Sequence, residues 1–437
     1  MDYPHLFFYS IIARWICSLA VFAFGILIAK KWWDRVGLKT FTLYYLMRVV
    51  LLWVFCRIGN AYPMDISEWY NMSRWMVDDH LFPGIGFQTG YYLGFNGILA
   101  ATTWICNEKF ALIFPWMLCE IGAMTIFLKV LGSLYGEKVS KRTIILYLLS
   151  PICLFSSWLG TQDEPMYLLF ASLLTAAFVY GKRAYVSDII AFLAVFFTKM
   201  VAPLFILPFC LLRGLRGAIG LACSILAYLI GSAALGVNPF NLVFSQQSTD
   251  PGSYLSMPIH PGGVWYYFQS APTSTQCLTL AGILFAIGLA FLPMLKRNSM
   301  PDKRIVFEQA ILLHGLWALT LTIFFRYNFV AYLIPLAFFV MIPFARELGE
   351  RHPSVFTWVL GAWMATIVVK DFTLLLRNFG MISSHVVEIH SATCLFMNLA
   401  FLAAFIVKFN RSIPLCNKTC NSCPNSTPSS ETSGGTR

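Results

Sequence analysis

The chain has 437 residues, of which 58% are hydrophobic and 12% charged, and it carries a formal net charge of +11. Soluble domains run at roughly 45–50% apolar and about 25% charged. Charges this sparse cannot cover a water-exposed surface of this length, so the chain reads as embedded in a bilayer. No basic stripe interleaved with aromatics lies outside the apolar runs, which excludes a nucleic-acid partner. The positive charge reads instead as a cytoplasmic-face bias. The twelve cysteines are scattered, mostly singly, in apolar runs (Cys17, Cys56, Cys119, Cys153, Cys210 and Cys223). They read as small buried hydrophobes rather than a disulfide framework.

A spanning helix needs about 20 apolar residues. The candidates, in chain order, are 6–29, 39–57, 109–131, 143–159, 166–180, 185–198, 200–212, 217–236, 275–294, 307–325, 328–345, 354–371 and 391–408. The expected fold is an all-α polytopic membrane protein with about 11–13 transmembrane helices. The first run is read as a retained helix, not a cleaved signal. The pair 185–198 and 200–212 is short and reads as broken helices around a cavity. The run 91–105, apolar but interrupted by Gly and Asn, reads as interfacial or re-entrant.

Placing Lys30, Lys31, Arg35 and Lys39 inside fixes the alternation. Seven of the 31 Lys and Arg then fall outside (Arg57, Arg74, Lys109, Lys199, Arg326, Lys370 and Arg377). Arg14 and Arg48 lie within spans, and the remainder are inside. This is the asymmetry of the positive-inside rule, with the N-terminus outside and the C-terminus in the cytoplasm. The transmembrane domain covers 1–411, with long outer loops at 58–108 and 237–274. The polar tail 412–437 is expected to be disordered and cytoplasmic. Its Cys416, Cys420 and Cys423 have a spacing that can hold an iron–sulfur cluster, but no folded domain surrounds them and a flexible tail is the reading. No internal repeat is visible.

Four stretches can carry chemistry. In Asp65–Asp79 the residues Asp65, Trp69, Met72 and Met76 recur at helical spacing, with Trp75 beside them. The expectation is an amphipathic helix lying in the membrane interface. Asp65 with Glu68 three residues on fits a capping box. It equally fits a carboxylate at the membrane surface that takes a proton from an alcohol. The next stretch is Gly160-Thr-Gln-Asp-Glu-Pro165, where Gln162, Asp163 and Glu164 are candidate substrate ligands or a helix start. Lys199 lies between two short apolar segments, where a cation is costly unless it meets an anion; snorkelling to the interface is the alternative. Arg326 stands at an outer helix end, suited to a phosphate or to a headgroup anchor, and His260 in the second outer loop can contact phosphate or sugar. Glu120 and His314, within spans, are expected to satisfy one another or backbone groups.

In this order the stretches resemble the GT-C superfamily of membrane glycosyltransferases, closest to its mannosyltransferase-like branches. The matching elements are Asp65 to Asp79, Ser150-Pro to Asp163, Lys199 to Pro208, and Arg326-Tyr to Pro335. The resemblance implies sugar transfer, with mannose favoured, from a polyprenyl or dolichyl phosphate donor to an acceptor hydroxyl on a lipid, glycan or protein. It implies Asp65 as catalytic base and Lys199 and Arg326 toward the donor phosphate; His260 joins these as a phosphate candidate, and Glu68, Gln162, Asp163 and Glu164 stand as substrate candidates, from their place in the sequence. No cofactor is expected. The first outer loop lacks Asp-x-Asp, so a divalent cation has no motif behind it. The membrane is a bacterial plasma membrane or, alternatively, the endoplasmic reticulum, with the site on the non-cytoplasmic face. The rival classes are a polytopic transporter or lipid flippase, and a non-catalytic partner in a glycan-assembly complex.

Overall fold

The computed structural model describes residues 3–58, 64–87, 89, 91–155, 162–199, 202–237, 261–292, 302–325, 330–348, 350, 353–378 and 380–412. His260, Arg326 and the tail from 413 lie outside the described residues. Among those described, the regular structure is helical, with two isolated bridges. We number the helices α1 (Tyr3–Lys31), α2 (Leu38–Ile58), α3 (Met64–Val77), α4 (Leu93–Ile105), α5 (Phe114–Tyr135), α6 (Glu137–Leu148), α7 (Pro165–Val179), α8 (Ala184–Phe197), α9 (Ala202–Cys210), α10 (Leu215–Ala234), α11 (Thr273–Ala290), α12 (Lys303–Phe324), α13 (Ile334–Glu347), α14 (Val355–Ile367), α15 (Lys370–Asn378) and α16 (Ser384–Ser412).

Seven helical stretches among the described residues are long and apolar enough to cross a membrane, from Ile11–Lys31 to Ser384–Phe409. The chain is an integral, multi-pass membrane protein. α12 and α13 form its centre, buried on almost every side. α10 and α11 stand at the rim, where Leu226, Ile230, Leu278 and Phe285 are exposed. Apolar residues on an outward helix face suit lipid, since every backbone group is already bonded within the helix.

The basic residues at one end of the bundle have specific work. Arg142 donates to the carbonyls of Leu348 (2.6 Å) and Lys30 (3.4 Å). Arg213 donates to Ala177 (3.0 Å) and Lys182 (2.5 Å), and Lys303 to Val179 (2.6 Å). All but the Lys182 carbonyl, which lies in the turn after α7, are at the ends of α13, α1 and α7, where the helix dipole is negative. The charges counted as cytoplasmic thus also close helix C-termini.

At the other end the structure departs from three expectations. The aromatic face of α3 turns into the protein: Ile66, Trp69 and Met72 are buried against Phe95, Leu99 and Trp116 of α4 and α5. Only Trp75 of that set is exposed. A sequence shows that a helix has an apolar face but not whether lipid or protein covers it. The 143–159 candidate is interrupted, because α6 ends at Leu148 and a short helical turn with π geometry follows Pro151. Glu120 pairs with Arg48 of α2 rather than with His314, and the His314 ring packs between Phe205, Phe209 and Phe339.

The short α8 and α9 match the expected break. α4 seats against this break because Gly94 has no side chain. A Cβ there would lie 2.5 Å from the Phe196 ring and 2.7 Å from its carbonyl oxygen. That approach lets the Tyr92 N–H donate to the Thr198 carbonyl at 3.0 Å and pairs Tyr91 with Lys199 as an antiparallel bridge.

Candidate active site

Five segments converge at this end: the first turn of α3, the strand-like Tyr91, the residues ahead of α7, the α8–α9 break, and the 3-10 turn Val330–Leu333 ahead of α13. Asp65 lies in the first turn of α3. Its Oδ2 accepts a hydrogen bond from Gln162 Nε2 at 2.8 Å, 97 residues away in sequence. The carboxylate therefore reaches across the fold. Glu68, one turn on, is exposed.

Asp163 and Glu164 precede Pro165 at the start of α7, where acids commonly serve as caps. Glu164 occupies the cap position but makes no side-chain capping bond. Both carboxylates instead accept from Lys199 Nζ, at 2.8 Å for Asp163 Oδ1 and 2.9 Å for Glu164 Oε1. The two acids are 1% exposed and the lysine side chain 15%, so Lys199 does not snorkel. Its ammonium also faces the rings of Tyr91 (5.7 Å) and Tyr332 (5.5 Å). An ammonium has three donors, so after two carboxylates one remains.

The cluster is not balanced. Two carboxylates face one cation, and Asp163 Oδ2, Glu164 Oε2 and the Tyr167 hydroxyl are buried without a hydrogen-bond partner among the described residues. Such atoms cost roughly 1–3 kcal/mol each when left unpaired. Burial pushes the Asp65 carboxyl above the usual aspartate range, against the Gln162 hydrogen bond and the Lys199 charge. Burial also pushes Glu164 up to about 7, with Lys199 opposing. For Lys199 burial alone would lower the value, but Asp163 and Glu164 outweigh it and hold the ammonium charged.

No family model, curated protein or solved structure matches this chain. The reading of the site therefore rests on its own geometry. Asp65, Gln162, Asp163, Glu164 and Lys199, five residues singled out in the sequence, come together. Glu68 stands beside them, and its carboxyl is raised by the surrounding protein and then by Asp65. His260 and Arg326 lie outside the described residues, although their neighbours are tied to this end. Gly262 donates to Ser391 Oγ (2.9 Å), and Trp265 Nε1 donates to the Phe324 carbonyl (2.6 Å). Tyr332, six residues after Arg326, stands over Lys199.

Sequence reasoning missed Tyr91, Tyr167 and Tyr332. The only signal for them was their place beside named stretches: Tyr91 just ahead of α4, Tyr167 after the Asp163–Glu164 pair, and Tyr332 within the Arg326–Pro335 element. Among the described residues no group of three or more His, Cys, Asp and Glu is arranged to hold a metal ion.

Chemically, the site offers a half-buried carboxylate with a raised pKa, held in place by an amide. Beside it lies a charged, partly donating lysine in an aromatic frame. A base whose pKa is raised toward neutrality is suited to take a proton from a hydroxyl. A site walled by protein strengthens each charge in it.

Proposed function

We propose that the chain is a GT-C type membrane glycosyltransferase. It moves a hexose, mannose by resemblance, from a polyprenyl phosphate to an acceptor hydroxyl at the end of the bundle that the charge count assigns to the outside. The observation that carries this reading is the Asp65–Gln162 hydrogen bond. It brings the carboxylate of the first outer loop onto the Gln162–Glu164 segment and so beside Lys199. In the reaction the acceptor oxygen bonds to the anomeric carbon while its proton passes to Asp65. The bond from that carbon to the phosphate oxygen breaks, and the phosphate leaves with the electron pair. Gln162 orients Asp65, and Asp163, Glu164 and Tyr167 offer acceptors to sugar hydroxyls. The free donor of Lys199, with Arg326 and His260, meets the growing negative charge.

Radiolabelled polyprenyl-phosphate hexose, incubated with membranes holding the protein and extracted acceptor lipid, tests this reading. Label in a new product supports transfer. Label that only crosses the bilayer makes the protein a transporter, and label that does neither makes it a non-catalytic partner.

A further inference from the structure

At the opposite end of α13 from Tyr332, about 20 Å along the helix, a cavity lies between α13, α14 and α16. Its volume is about 840 Å³, within the roughly 300–1,000 Å³ of ligand pockets. Its wall is apolar, with Ile342, Phe356, Val359, Ala400 and Ala404 among the lining residues, and Val355 and Val407 expose apolar surface at its edge. It therefore meets the flank of the bundle where lipid chains lie.

The polar lining is unequal in its commitments. The buried Glu308 is occupied: its Oε1 accepts from Tyr135 (3.1 Å), Arg304 (3.2 Å) and Arg346 (3.3 Å). Glu347 is occupied too, by Ser354 (2.6 Å), Thr357 (2.8 Å) and Lys408. Two charged groups are left with capacity. The Arg346 side chain is 40% exposed and bonded to Glu308 through one of its five donors. The exposed Glu350 carboxylate makes no hydrogen bond or ion pair among the described residues, and it does not pair with Arg346. At the edge of one apolar cavity, a cation with spare donors and an anion with no side-chain partner among the described residues complement a headgroup that carries both signs.

We infer that this cavity binds a zwitterionic aminophospholipid, with the phosphate on Arg346, the primary ammonium on Glu350, and one chain along the apolar wall. The charge count puts this end in the cytoplasm, so the lipid comes from the inner leaflet. The phosphatidylglycerol headgroup has a neutral glycerol and no cation to set against Glu350, and a quaternary ammonium cannot donate hydrogen bonds to that carboxylate.

Native mass spectrometry of the full chain tests this, with phosphatidylethanolamine, phosphatidylglycerol and phosphatidylcholine of identical chains competing. Phosphatidylethanolamine should be retained about tenfold over either competitor, the scale of one hydrogen bond to a charged group. Glu350→Gln, at an exposed side chain with no partner to lose, should erase the advantage over phosphatidylcholine. Arg346→Gln should lower retention of all three, and soluble glycerophosphoethanolamine should compete weakly because it lacks the chain. Equal retention of the three lipids (a generic bilayer chain only), preference for phosphatidylglycerol, or an unchanged preference in Glu350→Gln would each overturn the inference.

Discussion

Two of the buried ion clusters among the described residues are built oppositely. In the first, Arg48 of α2 meets Glu120 of α5, and the Tyr147 hydroxyl (3.2 Å) and the Cys153 thiol (3.6 Å) donate to the same carboxylate. One acid faces one base, and the pair is 3% and 0% exposed. In the second, Lys199 faces two acids, one oxygen of each acid lacks a partner among the described residues, and a further carboxylate, Asp65, stands alongside. A balanced cluster neutralises its own charge. An unbalanced one holds unmet hydrogen-bonding capacity that a substrate can satisfy. Charge balance, more than burial, separates the structural pair from the candidate active site.

The largest expected effect is on the balanced pair. Glu120→Gln leaves Arg48 buried and uncompensated, which costs about 3–5 kcal/mol. Thermal unfolding in detergent should show a large drop in midpoint. The double substitution Arg48→Met with Glu120→Leu should recover most of it. A single variant as stable as the parent would mean that the pair is not a closed structural unit.

Lys199→Met should destabilise by less, because the two acids can take up protons in place of their partner. Adding Asp163→Asn should return stability without returning transfer. Recovery of both would make the cluster structural, like the first. Gln162→Leu removes the hydrogen bond that holds Asp65, and a loss of about tenfold in kcat is expected with KM little changed. A change confined to KM would move Gln162 from positioning to binding.

How far the sequence foretold these clusters follows from distance along the chain. The long spans were legible because each is a local apolar run, the interrupted 143–159 apart, and so was the break carrying Lys199. The requirement that Lys199 meet an anion was legible too, from the cost of a charge in an apolar segment. Its partners were not fixed, because Asp163 and Glu164 sit where local capping explains them equally well. The 36-residue return to Lys199 is set by α7 packing on α8 and α9. The expectation that Glu120 meets His314 or backbone groups missed Arg48 because no local pattern says that α2 lies beside α5. The aromatic face of α3 was visible in the heptad-like spacing of Trp69, Met72 and Met76, but the element that covers it was not.

The smallest effect expected is on pH dependence. Glu164 sits near 7 in the folded protein and about 4.3 unfolded. Between these values the folded state keeps a proton that the unfolded state has lost. This contribution to stability is full below about 4.3 and is lost as pH rises through about 7. Wild type should therefore lose melting temperature against Glu164→Gln from about pH 5 to about pH 7.5. A constant difference across that range would mean that Lys199 outweighs burial and the Asp163 charge and keeps Glu164 ionised throughout.

The central claim is that Asp65 is the base of a transfer reaction, and Asp65→Asn tests it most directly. The amide preserves size and the contact with Gln162 but cannot take up the proton. With radiolabelled polyprenyl-phosphate hexose and matched expression, the variant should lose transfer by about 10²–10⁴-fold. Its unfolding midpoint should match the parent's. Transfer within a few-fold of wild type in a folded Asp65→Asn protein would contradict the account.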